Sequence, residues 1–133
     1  MPMMLPSWRV TVRLFHSAKQ KMSTGPWIGA VDQGTTSTRF LVFDSKGTVI
    51  AMTQRPVLLK FPASGWVELD PHDLVDSVVA CIDDAAGQIE RTQGPEALAK
   101  IKAIGITNQR ETTIAWDADT GLSTGPAIGT DTN

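Results

Sequence analysis

The sequence of 133 residues contains a single cysteine, Cys81, so no disulfide can form within one chain. Cys81 lies in an apolar stretch, where we expect a buried, reduced thiol and hence a cytoplasmic protein. The sequence also lacks any run of about 18 apolar residues, which excludes a membrane-spanning helix. Any contact with a membrane would have to be peripheral.

A large excess of basic residues is missing as well. With 12 Lys and Arg against 14 Asp and Glu, the formal net charge is -2. Proteins that bind nucleic acids usually carry a basic patch or stripe, so nucleic acid is not expected as a partner. A small neutral or anionic ligand fits better. The 41% hydrophobic and 20% charged residues are those of an ordinary globular protein of about one domain.

Acidic residues are absent from residues 1–26. The basic residues of this segment are Arg9, Arg13, Lys19 and Lys21. Such a basic, serine-containing arm resembles a mitochondrial targeting segment, so we expect a leader that is either disordered or a signal for mitochondrial association. Alternatively, Met22 starts the folded part and the arm is an optional extension.

From Trp27 onward the apolar residues become regular and predict three short strands. Residues 27–31, 39–43 and 48–55 have the length and composition of strands, and short polar turns join them. Parallel neighbours would need a crossover of a dozen residues or more. The three strands are therefore predicted to form an antiparallel meander.

A helix is predicted to begin at Asp70-Pro71, because Asp70 is an N-cap acceptor and proline suits the first helical position. Apolar residues then recur at three- and four-residue spacing, which predicts a helix with one apolar stripe against the sheet. The stripe consists of Leu74, Val75, Val78, Val79, Ile82, Ala86 and Ile89. We expect the helix to end near Gly94-Pro95.

Two further strands are predicted after the helix, at residues 101–107 and 112–116. The order is then β-β-β-α-β-β, which indicates a mixed sheet with helical cover, an α/β architecture.

The sharpest local feature is the turn at residues 32–39. Gly34 lets the backbone approach a ligand closely, and successive N–H groups in such a turn can form a concave site for anions. Arg39 and the hydroxyls of the turn add donors, and Asp32 can hold hydrated magnesium. The alternative is an ordinary hairpin with Asp32 as a local cap. The Gly-x-x-x-x-Gly-Lys and Gly-x-Gly-x-x-Gly fingerprints are both absent.

A second polar segment, residues 108–112, lies at the junction of the last two predicted strands. Arg110 can donate a fork of hydrogen bonds and ionised Glu111 can only accept them, so the pair can grip neighbouring hydroxyls of a polyol. A site of this kind rejects analogues that lack those hydroxyls, because its polar groups would be left unpaired. The alternative is a solvated turn.

Taken together, these segments resemble the N-terminal region of the glycerol kinases, a group within the FGGY family of carbohydrate kinases. The resemblance is carried by residues 32–39, 65–68, 70–71 and 104–113, and it extends over about residues 27–128. It implies a fold of the ribonuclease H-like or actin-like ATPase type. The Asn-Gln-Arg-Glu-Thr segment is the most specific of these motifs, since the first motif is shared with other sugar kinases.

The resemblance implies transfer of a phosphoryl group from ATP, with Mg²⁺, to the terminal hydroxyl of glycerol, giving sn-glycerol 3-phosphate. It places Asp32 beside magnesium, through water, and it places Arg110 and Glu111 on the glycerol hydroxyls. The residues that it places at the nucleotide phosphates are Gly34, Thr35, Thr36, Ser37 and Arg39. Such chemistry depends on positioning, charge neutralisation and a carboxylate that accepts the substrate's proton.

In that family the carboxylate base and the adenine-binding domain lie far beyond residue 133, so no catalytic base is expected in this chain. We expect residues 27–128 to form a partial kinase N-terminal domain, residues 129–133 to be a divergent tail, and the isolated chain to be a truncated, inactive form. Two alternatives are a non-catalytic fragment that binds the full-length kinase, as a homo-oligomer, and a kinase for another polyol or sugar.

Overall fold

A computed structural model describes residues 25–129 of the chain. The predicted leader and the predicted tail fall almost entirely outside these residues. The elements in chain order are β1 (Trp27–Gln33), β2 (Ser37–Phe43), β3 (Val49–Pro56), β4 (Val67–Leu69), α1 (Pro71–Gln93), a 3₁₀ turn (Pro95–Lys100), β5 (Ile101–Asn108) and β6 (Ala127–Gly129). None of the helices in this part of the chain is long and apolar enough to cross a bilayer.

The main sheet has four strands in the order β3-β2-β1-β5. β1 is antiparallel to β2, and β2 is antiparallel to β3. The predicted meander is therefore confirmed. β5 pairs with β1 in parallel, which is possible because the chain crosses over through α1 before it returns to the sheet. The mixed sheet predicted from the sequence is confirmed by this pairing.

Helix α1 begins and ends where the sequence predicts. The carboxylate of Asp70 accepts a hydrogen bond of 3.0 Å from the backbone N–H of His72, Pro71 is the first helical residue, and Gly94 ends the helix with φ 89°. A positive φ of this kind is one that glycine adopts without steric cost. The two ends of the helix are thus encoded locally.

The predicted apolar stripe of α1 is partly wrong. Val75 and Val79 are exposed, whereas Cys81 and Ala85 are fully buried. α1 packs across β2 and β3, and small side chains at the contact allow the helix axis to approach the sheet closely. The residues of the resulting core are Trp27, Val31, Phe40, Val42, Ala51, Cys81, Ala85, Ile89 and Ala97.

The strand predicted at residues 112–116 is not present as a strand. Thr113 and Trp116 form isolated bridges to Ile128 and Ser123. A turn follows in which the N–H of Asp117 donates to the carbonyl of Leu122, so this region is held by a turn and single bridges and not by a continuous ladder. The final strand lies later instead, at β6, and it pairs with β4, which the sequence did not predict.

Candidate functional site

The β1–β2 hairpin places its polar residues on two different faces. Asp32 pairs in register with Arg39, and Gln33 pairs with Thr38. Because side chains alternate along a strand, Thr38 points toward α1, where it is fully buried and its Oγ1 lies 2.7 Å from Oγ of Ser77. Of the hydroxyls in the turn, that of Thr38 is therefore unavailable to a ligand.

The tip of the hairpin is a tight turn. The N–H of Gly34 donates to the carbonyl oxygen of Ser37 at 2.9 Å. A Cβ atom at Gly34 would lie 3.1 Å from the same carbonyl oxygen, so the close approach favours glycine at this position. Thr35 and Thr36 are exposed at the tip and Ser37 is half-buried. Their hydroxyls lie where a ligand can reach the turn.

Asp32 and Arg39 form an ion pair on the face of the sheet away from α1. Nη1 of Arg39 lies 3.4 Å from Oδ2 of Asp32, and the two side chains are 48% and 47% exposed. Exposed ion pairs of this kind contribute about 0 to 1 kcal/mol. Little free energy therefore opposes the replacement of this carboxylate by another anionic partner of the guanidinium.

Arg110 and Glu111 follow the end of β5, and both are exposed. The parallel pairing of β5 with β1 brings Asn108 level with Gln33. The N–H of Gln109 donates to the carbonyl oxygen of Gln33 at 3.0 Å and so extends the ladder by one residue. The carboxyl ends of both strands therefore lie side by side. In α/β proteins, ligands commonly bind beyond the carboxyl ends of the strands.

A cleft of about 290 Å³ lies between the two segments. Its lining residues are Asp32, Gln33, Gly34, Thr35, Asn108, Gln109, Arg110, Glu111 and Thr112. The structure thus brings Asp32, Gly34 and Thr35 together with Arg110 and Glu111.

Three predicted phosphate-binding residues, Thr36, Ser37 and Arg39, are not among the residues that line this cleft. Thr36 and Ser37 belong to the adjoining tip, and Arg39 lies one strand away.

Sequence reasoning assigned no role to the other four residues that line the cleft, which are Gln33, Asn108, Gln109 and Thr112. Gln33 carried a signal, because it continues the alternation in which Trp27, Gly29 and Val31 are the buried residues of the strand. A buried amide at an apolar position needs hydrogen-bond partners. Gln109 and Thr112 supply no such signal on their own, since they stand in an irregular polar segment.

The fit of a magnesium ion rests on Asp32. Within residues 25–129, no group of three or more His, Cys, Asp and Glu side chains could hold a metal ion. Mg²⁺ is usually bound through one or two carboxylates, several waters and the phosphates of a substrate. The half-exposed carboxylate of Asp32 fits that role.

Known proteins are similar to this chain over a range that includes both the turn and the segment at residues 108–112. The sequence profile of the N-terminal domain of the FGGY family of carbohydrate kinases matches residues 27–131. The chain is 48% identical over 100 residues to glycerol kinase of Acinetobacter baylyi, which covers 74% of the chain and 19% of that protein. It is 46% identical over 95 residues to the probable glycerol kinase of Caenorhabditis elegans, with 71% and 18% covered. The chain therefore spans about a fifth of the length of the curated relatives that it matches.

Solved structures show the same fold. The glycerol kinase of Plasmodium falciparum with ADP superposes with a TM-score of 0.65 at 30% identity, over 78% of the chain and 20% of that protein. Gluconate kinase from Lactobacillus acidophilus superposes with a TM-score of 0.66 at 26% identity, over 77% and 19%. The predicted class, a partial α/β domain of the actin-like ATPase type, is confirmed. The profile match, the sequence relatives and the shared fold together show that this chain belongs to the FGGY family of carbohydrate kinases.

Proposed function

We propose that this chain supplies the phosphate-binding turn and the polyol-binding loop of an ATP-dependent kinase that converts glycerol to sn-glycerol 3-phosphate. The observation that carries the proposal is the cleft in which Gly34 and Thr35 lie beside Arg110 and Glu111. Transfer of a phosphoryl group requires donor and acceptor to be held side by side, and proximity and orientation account for much of such catalysis. The relatives that are named glycerol kinases support glycerol as the acceptor.

Each segment has a distinct role in this proposal. The hydroxyls of Thr35, Thr36 and Ser37 donate to phosphate oxygens, together with backbone N–H groups of the turn other than that of Gly34, which is bonded to Ser37. Arg39 exchanges the carboxylate of Asp32 for a phosphate oxygen, because it is exposed and its present ion pair is long. Asp32 would hold magnesium through water, and the ion would neutralise charge on the phosphates when bound.

Glycerol recognition falls to Arg110 and Glu111. The guanidinium donates a planar fork of hydrogen bonds, and the carboxylate accepts from a neighbouring hydroxyl. Adjacent donor and acceptor groups of this kind select a molecule with hydroxyls on neighbouring carbons. They also fix which terminal hydroxyl faces the turn.

The acceptor for the substrate's proton is not assigned to either carboxylate of the cleft. Asp32 is used for magnesium in this proposal, and Glu111 is used for glycerol. We infer that the base and the adenine-binding residues belong to the part of the enzyme that corresponds to the other four-fifths of the relatives. The chain alone is then expected to bind glycerol without turnover.

The test is a titration of the whole purified chain with glycerol, followed through backbone amide resonances. We expect the amides of Arg110 and Glu111 to respond in the unaltered chain and not in Arg110→Ala. Arg91→Ala, an exposed arginine on α1, is the matched control and should leave the response unchanged. A response to gluconate or xylitol in place of glycerol would overturn the assignment of glycerol. A coupled assay of glycerol phosphorylation tests the expected inactivity of the chain. Turnover by the unaltered chain that is lost in Asp32→Ala would contradict that expectation.

One observation favours the second candidate, a fragment that binds the full-length kinase. Ile104 and Ile106 of β5 are 47% and 74% exposed, and β5 lies at the edge of the main sheet. An exposed apolar strip and an open strand edge are both features of protein interaction surfaces. Co-purification with the full-length kinase, lost in Ile106→Lys and retained in Val79→Lys on α1, would support this candidate. No association at micromolar concentration would rule it out.

A further inference from the structure

Three side chains of the cleft form a continuous series of hydrogen bonds. Oγ1 of Thr112 donates to Oε1 of Gln109 at 2.6 Å. Nε2 of Gln109 donates to Oε1 of Gln33 at 3.1 Å. Nε2 of Gln33 donates to the carbonyl oxygen of Gly34, also at 3.1 Å. Every bond donates in the same direction, from the residue after Glu111 to the turn, and hydrogen bonds in such a chain polarise and strengthen one another.

The burial of Gln33 explains why this series must stay intact. Gln33 is only 8% exposed, and a buried amide that lacks partners is costly. Both ends of its side chain are satisfied here, the oxygen by Gln109 and the nitrogen by Gly34. A polar network that is fully satisfied makes its surroundings rigid and gives them a single arrangement.

The position of the series relates the two ligand segments to each other. Gln109 precedes Arg110 and Thr112 follows Glu111, so the pair is held on both sides. The opposite end of the series is the carbonyl of Gly34. The backbone hydrogen bond from Gln109 to Gln33, at 3.0 Å, adds a second attachment between the segments. The residues on either side of Arg110 and Glu111 are therefore connected to the turn through hydrogen bonds.

We propose that Thr112, Gln109 and Gln33 are positioning residues that fix the Arg110–Glu111 pair to the phosphate turn, so that a polyol bound to the pair alters the turn at Gly34. The nature of the ligand rests on the proposed function, whereas the linkage between the segments does not. The three side chains act through Arg110, Glu111 and Gly34 and are given no direct contact with the reacting atoms.

The first experiment uses the whole chain without ligand. Thr112→Val keeps the shape of the side chain and removes the hydroxyl, and Thr112→Ser keeps the hydroxyl. We expect Thr112→Val to speed hydrogen exchange at the N–H of Gln109 at least about fivefold and to shift the side-chain amide of Gln33 and the backbone amide of Gly34. Thr112→Ser and the neighbouring control Thr113→Val should match the unaltered chain.

Changes that stop at Gln109, or that are equal in the valine and serine variants, would overturn the proposal. If Thr112→Val does not fold, Gln109→Met serves in its place, because it removes the bond from Thr112 and also the bond to Gln33.

The second experiment adds glycerol as the probe. In the unaltered chain, glycerol should move the amides of Arg110 and Glu111 and also those of Gly34 and Thr35. In Thr112→Val the response of the turn should fall at least about threefold, as expected for the loss of a single hydrogen bond, while the thermal midpoint stays equal to that of Thr113→Val.

The two hypotheses fail in different ways. A response of Gly34 that is equal in both chains would overturn the linkage and leave glycerol binding intact. If glycerol moves no amide at all in the unaltered chain, the proposed function fails, and the experiment without ligand decides the linkage by itself.

Discussion

The carboxylate of Asp32 faces the guanidinium of Arg39 across β1 and β2, with 3.4 Å between Oδ2 and Nη1. The two residues are register partners, and the preceding pair, Val31 and Phe40, is buried under α1 on the opposite face. The alternation of side chains along the two strands thus places this ion pair on the solvent-facing side, while the neighbouring pair lies in the core.

Replacement of Arg39 should therefore affect binding far more than stability. Arg39→Ala removes a charge-assisted donor, and we expect the affinity for Mg·ADP to fall at least about tenfold. The free energy of unfolding should change by less than about 1 kcal/mol, because the ion pair is exposed. Titration with Mg·ADP, followed at the amides of Gly34 and Thr35, measures the affinity. Urea unfolding measures the free energy of unfolding.

The ion pair between Arg55 and Asp84 provides a matched control. Its Nη2 to Oδ2 distance is 2.7 Å and its side chains are 47% and 50% exposed, but it joins β3 to α1 rather than the two strands of the hairpin. Arg55→Ala should have a similar small effect on stability and none on nucleotide binding. Equal losses of Mg·ADP affinity in the two variants would remove the basis for a phosphate site at the hairpin.

Gly29 is predicted to be required by packing. A Cβ atom there would lie 2.7 Å from Cζ of Phe40 and 3.1 Å from Cγ1 of Ile104. Phe40 is buried in the core and cannot withdraw into solvent. Gly29→Ala should therefore lower the free energy of unfolding by about 1 to 3 kcal/mol, the usual cost of overpacking.

Gly105 is the control for that substitution. It lies on β5, opposite Ala30 of β1, and a Cβ atom there would meet nothing within 4 Å. Gly105→Ala should change the free energy of unfolding by no more than about 0.5 kcal/mol. Urea unfolding of both variants measures the difference, and equal effects would show that crowding at Gly29 is not the cause.

The sequence was informative where a signal is local. The cap at Asp70-Pro71 and Gly94 predicted the two ends of α1, and the short polar turns predicted the meander. β4 and β6 were missed because three residues show hardly more than one period of alternation, and their pairing joins distant segments such as Leu69 and Ala127. The stripe of α1 was partly wrong because hydropathy favours Val79, whereas packing on the sheet buries Cys81 and Ala85.

In the candidate site, too, the local features were predicted and the long-range contacts were not. The turn at Gly34 and the Arg110–Glu111 pair were each identified from residue types, with two interpretations open for both. Their contact in one cleft depends on the parallel pairing of β1 with β5, between residues more than seventy positions apart. The hydrogen bonds of Gln33 could not be predicted, because an amide at the end of a strand shows nothing of its partner.

Cys81 offers a test of the packing between α1 and β2. It is fully buried, its Sγ lies 3.5 Å from the carbonyl oxygen of Thr38, and burial raises the pKa of the thiol. The thiolate, which is the reactive form, is therefore scarce as well as inaccessible. At pH 8, a disulfide reagent should label the native chain at least about 100-fold more slowly than the chain unfolded in urea. Rapid labelling without urea would contradict the burial.

The turn after Trp116 predicts a measurable pH dependence at Asp117. Oδ1 of Asp117 accepts hydrogen bonds of 2.8 Å from both Oγ1 and the N–H of Thr120 and one of 3.1 Å from the N–H of Asp119. These donors stabilise the ionised carboxylate and lower the pKa of Asp117, with the hydroxyl of Thr120 as the largest cause. A carboxyl whose pKa is lower in the folded state stabilises the fold above its unfolded pKa. That stabilisation is lost as the pH falls through the folded pKa, below about pH 4.

Removal of the hydroxyl should move this titration in a defined direction. Thr120→Val leaves the two backbone donors in place, so the pKa of Asp117 should rise toward the ordinary value without reaching it. Thr124→Val is the matched control, because the hydroxyl of Thr124 donates to the carbonyl of Ala115, at 3.2 Å, and not to Asp117. Carboxyl carbon resonances recorded from pH 2 to pH 6 follow the titration. A midpoint that is unchanged in Thr120→Val, or that rises as much in Thr124→Val, would show that the turn does not hold Asp117 through this hydroxyl.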